Sequence, residues 1–148
     1  MVHPLGFDTS EKACRRAGLD YWPRLGVREH PSWEHCLAHV AMSRAGRAQR
    51  LWLFTTKATR CAFDVPFEPG DCLVFGKETA GLDDAMLARY PDCLACLPMV
   101  PQERSLNLAT AVCAVVYEGV RQLRARGVVR LDEQGRLLLP GARNHSKP

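Results

Sequence analysis

Short apolar runs alternate with amphipathic stretches along this chain, and the alternation predicts the fold class. Residues 51–55 (LWLFT), 73–75 and 94–99 are typical of buried strands, and a further strand is predicted over 25–28. Helical patterns or capping residues predict helices over 9–17, 31–42, 83–89 and 107–126. Buried strands that alternate with helices pair in parallel, so we expect an α/β fold whose mostly parallel sheet is flanked by helices.

The helix predicted over 107–126 is the longest of the chain. Asn107 is expected to cap its start and Gly127 to end it. Its apolar side is predicted to consist of Leu108, Ala111, Val112, Val115, Val116, Gly119, Val120 and Leu123. Two short apolar segments around residues 132–135 then predict a hairpin. We therefore divide the chain into a main domain over 1–127 and a hairpin extension with a tail over 128–148.

Two turns that follow predicted strands indicate a small-molecule site. Gly76 comes directly after the strand at 73–75, where a sharp turn or a ligand requires the absence of a Cβ. About 25 residues later, a passage stiffened by Pro98 and Pro101 leads into the long helix. Loops of this kind can converge on one crevice. ATP or GTP hydrolysis is excluded, because Glu78 stands where a phosphate-binding loop needs Ser or Thr.

The distribution of basic residues predicts an interaction with nucleic acid. The chain has 148 residues, enough for one domain with a full core, and a formal net charge of +4. The segment from 35 to 63 contains no acid but five basic residues, Arg44, Arg47, Arg50, Lys57 and Arg60. A second cluster, Lys12, Arg15 and Arg16, lies close to Tyr21 and Trp22. Basic groups interleaved with aromatic rings suit an RNA backbone with exposed bases, although an ordinary solvated face is the alternative.

The arrangement of the cysteines predicts no metal site, and the short apolar runs predict no membrane-spanning segment. No basic-then-apolar leader precedes the first elements, so we expect a cytoplasmic protein whose seven cysteines are reduced and mostly fill the core. The longest apolar runs, about six residues, fall far short of a bilayer span. Cys93 and Cys96 form a CxxC pair in a predicted strand. His30, His35, Cys36 and His39 are expected on a helical segment without pairing to it, so we predict no metal site.

Five segments together resemble a known family. They are HPLGF (3–7), RRAGLDYW (15–22), LFTTK (53–57), FGKETAGL (75–82) and PMVPQERSLNLATAV (98–112). Over about residues 3–126 the chain resembles the SPOUT methyltransferases, and within them the small tRNA (cytidine(34)-2'-O)-methyltransferases. The resemblance implies a deep C-terminal trefoil knot, a homodimer, and S-adenosylmethionine bound in the knot. The implied activity is methylation of the ribose 2'-hydroxyl of the wobble nucleotide, position 34, in the anticodon stem-loop of a tRNA.

The same resemblance implies roles for individual residues, motif by motif. The implied cofactor contacts are Phe54, Gly76, Glu78, Leu97, Met99, Ser105 and Leu106. The candidates for the reaction are Tyr117 and Asn107. Arg104 is a third candidate, although it is not the arginine to which the family assigns the catalytic role. Asn107 would order the loop, and Tyr117 would lie near the reacting centre or the dimer interface. Arg15, Arg16 and Lys57 would meet the tRNA.

The chain departs from the family pattern at its start. In the family, a strand and a helix with an Asn-containing motif and a catalytic arginine precede the equivalent of Met1. We expect that a βα piece of roughly 30 residues is absent and that Met1 is an internal methionine or the chain a fragment. Two alternatives therefore stay open. One is a non-catalytic module for RNA binding or dimerisation, and the other is a generic nucleotide-binding α/β protein.

Overall fold

The computed structural model describes residues 1–43, 50–103 and 105–138. The chain forms two compact units, residues 1–49 and residues 50–148. No helix in the described ranges combines the length and the apolar character that crossing a membrane requires.

The first unit is built from two helices. Helix α1 spans Glu11–Arg16 and helix α2 spans Trp33–Ser43, with a 3₁₀ turn at Trp22–Arg24 between them. A serine caps the start of each helix. The Ser10 hydroxyl accepts a hydrogen bond from the Ala13 amide at 3.3 Å, and the Ser32 hydroxyl accepts one from the His35 amide at 3.2 Å. These bonds satisfy amides that have no partner within the helix.

The strand predicted over 25–28 is wrong. The chain is irregular there, and the nearest pairing is an isolated parallel bridge between Val2 and His30. Leu25 and Val27 are 46% and 37% exposed, so this apolar run does not find a sheet to cover it. A four-residue run signals a strand only where a neighbouring strand can satisfy its backbone groups.

The second unit contains a three-stranded parallel sheet, as the alternation predicted. Its strands are β1 (Leu51–Phe54), β2 (Cys72–Phe75) and β3 (Leu94–Ala95), in the order β2–β1–β3. Helices α3 (Asp84–Arg89) and α4 (Leu108–Ala125) belong to the same unit. The predicted hairpin is also present, with β4 (Arg130–Leu131) antiparallel to β5 (Leu137–Leu138).

The third strand is much shorter than the predicted 94–99. Cys93 lies in a 3₁₀ turn, Pro91–Cys93, rather than in the strand. After Ala95 the pairing continues only as an isolated bridge between Cys96 and Cys61. Pro98 and Pro101 follow at once, and a proline has no amide hydrogen for a ladder. Prolines that were expected to stiffen the approach to α4 therefore also end the strand.

The core of this unit lies between β1 and α4. Its buried members include Trp52, Val65, Phe67, Ala95 and Val115. Gln122 ties the helix to the loop beside it, because its side-chain oxygen accepts a hydrogen bond from the Phe67 amide at 3.2 Å. The apolar side predicted for α4 is only partly buried. Val115, Gly119 and Gln122 face residues 63–67, whereas Val116, in the neighbouring row, is 41% exposed.

Candidate functional site

A cleft of about 290 Å³ opens at the carboxyl ends of the three parallel strands, and we call it the strand-end cleft. Residues 54–57 line it after β1, residues 75–82 after β2, and Leu97 and Met99 after β3. The approach to α4 closes the remaining side through Ser105, Leu106, Leu108 and Ala111. Ligands of open α/β sheets bind at this edge, where loops from neighbouring strands meet.

Two aromatic rings give the strand-end cleft an apolar wall. Phe54 and Phe75 are partners in the register of β1 and β2, and their rings stack with centroids 4.9 Å apart at 14°. Both rings pack against the core cluster, as does Leu97. Because the core fixes these side chains, the wall is formed before any ligand enters. A rigid apolar wall of this size suits a flat aromatic group such as a purine.

The loop after β2 is a closed turn that depends on Gly76. Lys77 and Gly81 exchange two backbone hydrogen bonds, at 3.1 and 2.7 Å, so the loop folds back on itself. A Cβ on Gly76 would overlap the backbone of Gly81 and Leu82, well inside the 3.0 Å limit of real Cβ contacts. Of the two reasons that the sequence offered for this glycine, the sharp turn is the one that the contacts explain.

Asn107 joins this loop to the start of α4. Its side-chain oxygen accepts a hydrogen bond from the Thr110 amide at 3.2 Å and so caps the helix. Its side-chain nitrogen donates to Glu78 at 3.1 Å. One amide group therefore joins two walls of the strand-end cleft, and the role of Asn107 in ordering the loop stays a prediction.

A charged pair lies at the cleft beside β1. The ammonium group of Lys57 lies 2.5 Å from a carboxylate oxygen of Asp84, the first residue of α3. Both side chains are mostly exposed, at 62% and 86%. Water screens such a pair, which stabilises the fold by no more than about 1 kcal/mol. The lysine can therefore exchange its partner for an anionic ligand at little cost.

The structure brings together every residue that the sequence assigned to the cofactor. Lining the strand-end cleft are Phe54, Gly76, Glu78, Leu97, Met99, Ser105 and Leu106. Lys57, assigned to RNA, lines it as well, and Asn107 adjoins it through Glu78. Two residues at or beside the cleft had no predicted role in the site. Phe75 was noted only as the end of a strand, and Asp84 gives no sequence signal beyond its place in the first turn of a short helix.

Other predicted residues lie elsewhere. Tyr117 does not line the strand-end cleft; it is 67% exposed on the surface of α4. Arg104 lies outside the described residues. Arg15 and Arg16 belong to the other unit, on the exposed last turn of α1, where Arg15 pairs with Glu11 at 2.7 Å.

The basic segment is less available to RNA than its composition indicated. Arg50 donates to Asp71 at 2.8 Å, and this carboxylate is only 3% exposed and raises the pKa of the guanidinium. Arg60 donates to the Asp92 carbonyl and lies over the Trp52 ring at 5.3 Å. Arg44 and Arg47 lie outside the described residues. Two of the five cations therefore stabilise the second unit itself.

The cysteines and histidines do not assemble a metal site among the described residues, where no suitable group of three ligands occurs. Burial raises the pKa of both the Cys93 and the Cys96 thiols and favours their neutral form. The prediction that cysteines mostly fill the core is wrong, since Cys14 is the buried one and Cys113 is exposed. His30 precedes α2 instead of lying on it, and its Nδ1 meets that of His35 at 3.1 Å.

Comparison with protein families and known sequences gives a consistent result. The SpoU rRNA Methylase family model matches residues 1–117. A tRNA (cytidine(34)-2'-O)-methyltransferase from Acidovorax sp. (strain JS42) is 41% identical over 123 residues, which cover 82% of this chain and 74% of that protein. The protein of the same description from Escherichia coli (strain K12) is 41% identical over 133 residues, covering 89% of this chain and 81% of that one.

Solved structures agree with the sequences. One that concerns the 2-OH methylation of C/U34 on tRNA superposes with a TM-score of 0.72 at 39% identity, over 84% of this chain and 78% of that one. The SpoU methyltransferase AviRb from Streptomyces viridochromogenes, in complex with the cofactor AdoMet, superposes with a TM-score of 0.70 at 28% identity. That match covers 84% of this chain and 49% of AviRb.

Proposed function

This chain belongs to the SpoU rRNA methylase family, and from that premise we propose that it is a tRNA 2'-O-methyltransferase specific for nucleotide 34. Its methyl donor is S-adenosylmethionine. The observation that carries the proposal is the strand-end cleft, which is lined by all seven residues that the sequence motifs assigned to the cofactor. The relatives that share this activity by description match most of their own length to this chain.

The chemistry of the strand-end cleft fits S-adenosylmethionine. The stacked Phe54 and Phe75 rings and the side chains of Leu97 and Met99 offer an apolar wall for an adenine. The loop after β2 lines the cleft over residues 75–82, and its backbone groups suit the polar edge of the adenine. Ser105 offers a hydroxyl at the opposite side. A largely apolar pocket with few polar groups is the usual form of a cofactor site.

The protein's contribution to the reaction is mainly positional. S-adenosylmethionine supplies a methyl group on a sulfonium, which is already a strong electrophile. The loops after β1 and β2 then need to hold the ribose hydroxyl in line with that group, and correct alignment alone lowers a barrier by several kcal/mol. Lys57, at the cleft and exposed, is placed to bind a phosphate beside the target nucleotide.

The finer features of the family complete the proposal. We infer a trefoil knot that encloses the strand-end cleft, the anticodon stem-loop as the bound part of the tRNA, and the cytoplasm as the place of action. A homodimer is supported by the surface of α4, where Val116 and Tyr117 are 41% and 67% exposed beside Val112. We assign Tyr117 to this interface, which is one of the two roles that the motif gave it. Val116→Glu should convert a dimer to a monomer in sedimentation velocity, whereas the exposed-face change Arg130→Glu should not.

Methyl transfer tests the activity directly. The purified chain is incubated with radiolabelled S-adenosylmethionine and unmodified tRNA, and the product is digested and its modified nucleosides are mapped. The proposal expects a ribose-methylated nucleotide at position 34. Binding of S-adenosylmethionine measured by calorimetry, together with retention of tRNA but without transfer, would favour the non-catalytic module instead.

A further inference from the structure

A second groove, of about 700 Å³, lies between the C-terminal half of α4 and the β4–β5 hairpin. We call it the hairpin groove. Arg121 and Arg124 line it from the helix, and Arg136 lines it from the hairpin, together with Leu131 and Leu137. Apart from Tyr117 at one end, its residues follow the part of the chain that the family model matches.

The arginines of the hairpin groove present their charge outwards. Arg121 pairs with Glu118 at 2.7 Å, and the side chains are 66% and 9% exposed respectively. Arg136 pairs with Asp132 at 2.8 Å, and the side chains are 75% and 20% exposed. In both pairs the carboxylate is covered and the guanidinium faces solvent. The surface is therefore cationic even though each pair is formally neutral.

The two carboxylates are also satisfied by other donors. Glu118 accepts a further hydrogen bond from the Gln122 side chain at 2.8 Å. Asp132 accepts the backbone amides of Gln134 and Arg136 at 2.9 and 2.8 Å. Hydrogen bonds from Arg121 and Arg136 lower the pKa of their carboxylate partners, so both acids stay ionised and hold the guanidiniums in place.

The guanidiniums keep donors for a ligand. Arg121 uses Nε and Nη2 for Glu118, and Arg136 uses Nε for Asp132 and Nη2 for Gln134. Their Nη1 groups have no partner in the described part of the chain. The Arg124 side chain is exposed, and its guanidinium forms no hydrogen bond or ion pair with any described residue. Each guanidinium can therefore still donate to an anion. Three guanidiniums along one groove, two of them held in place by carboxylates, match a row of phosphates.

We propose that the hairpin groove binds the phosphate backbone of the substrate tRNA. The inference rests on the proposed function for its substrate, but it assigns to α4 and the hairpin a contact that is separate from the strand-end cleft. Among the described residues no carboxylate lines the groove, and its apolar lining residues Leu131 and Leu137 suit the face of a ribose. RNA binding is favoured over a protein partner because, apart from Tyr117 at the end next to the proposed dimer interface, the polar side chains among the described lining residues are three arginines.

The test removes one phosphate-binding group without touching the fold. Arg124→Ala removes a side chain with no described partner, and Arg130→Ala is the matched control. Arg130 is equally charged and exposed, but it alternates with Leu131 along β4 and so faces away from the groove. Binding of tRNA is measured over a range of salt concentrations. KM and kcat are measured in the methyl-transfer assay, and the affinity for S-adenosylmethionine is measured by calorimetry.

Arg124→Ala should lower the slope of log K against log salt by about 0.9, the value of one duplex phosphate contact, and raise KM for tRNA without changing kcat. Arg130→Ala should leave both unchanged, and both variants should bind S-adenosylmethionine like the wild type. Equal losses in the two variants, or tRNA binding unchanged by Arg124→Ala, would overturn the groove proposal alone. A wild-type chain that binds S-adenosylmethionine but not tRNA would overturn the proposed function as well.

Discussion

Adding one methyl group at Gly76 should damage both the fold and the strand-end cleft. In Gly76→Ala the new Cβ would overlap the backbone at Gly81 and Leu82, so the closed turn after β2 has to open. Opening it breaks the two Lys77–Gly81 hydrogen bonds, which stabilise the fold by about 1 kcal/mol each. Inserting a methyl group into a packed position costs about 1–3 kcal/mol by itself. We therefore expect the free energy of unfolding to fall by about 3–5 kcal/mol.

Urea denaturation and calorimetry measure the two consequences. With an m-value of about 2 kcal/mol/M, a loss of this size lowers the urea midpoint by about 1.5–2.5 M. The affinity for S-adenosylmethionine should fall by about tenfold or more, because a displaced loop of 75–82 removes one wall of the cleft. The S-adenosylmethionine titration is made without denaturant, on a variant whose circular dichroism spectrum matches that of the wild type.

Gly119→Ala is the matched control, since it is the same chemical change elsewhere in the second unit. Its Cβ would lie 3.6 Å from the Phe67 ring, which is an ordinary contact. Alanine is the better helix former, so this variant should gain about 0.5–1 kcal/mol of stability and keep the affinity for S-adenosylmethionine. If Gly76→Ala is as stable as the wild type and binds the cofactor equally well, the account of the turn is refuted.

Two further predictions concern side chains that join elements. Asn107→Asp keeps an oxygen that caps α4 but loses the hydrogen-bond donor to Glu78. Calorimetry should show weaker S-adenosylmethionine binding at nearly unchanged stability. An affinity equal to that of the wild type would show that Asn107 does not order the loop. The hydrogen bond from Arg121 holds the pKa of Glu118 below its ordinary value of 4.5. The ionised Glu118 therefore contributes its full stabilisation above pH 4.5, and this stabilisation is lost as the pH falls through the lower pKa of the folded state. Urea titrations between pH 3 and 7 should thus show a steeper acid loss for the wild type than for Glu118→Gln, and parallel profiles would contradict the shift.

The sequence predicted those parts of the fold that local chemistry decides. Helices α1 and α3 begin where Ser10 and Asp83 cap them, and α4 begins after Asn107, because a capping oxygen acts within three residues. The parallel sheet followed from apolar runs separated by helices. The false strand at 25–28 shows the limit, since pairing depends on a partner strand that local pattern does not reveal.

The candidate site was predicted through family motifs more than through physical pattern. A glycine after a strand indicated a turn, but the crowding at Gly76 by Gly81 and Leu82 depends on the closed loop. The hydrogen bond between Asn107 and Glu78 joins residues 29 positions apart, and the ion pair of Lys57 with Asp84 joins residues 27 positions apart. Periodicity reports the burial of neighbouring residues and carries no information about contacts of this separation.

The central claim is transfer of a methyl group to one particular oxygen, and two tRNAs that differ only in that oxygen test it most directly. One carries an ordinary ribose at nucleotide 34, and the other a 2'-deoxyribose at the same position. With labelled S-adenosylmethionine, the chain should methylate the first tRNA and transfer no label to the second. Equal labelling of both tRNAs would place the methyl group on another atom and contradict the account.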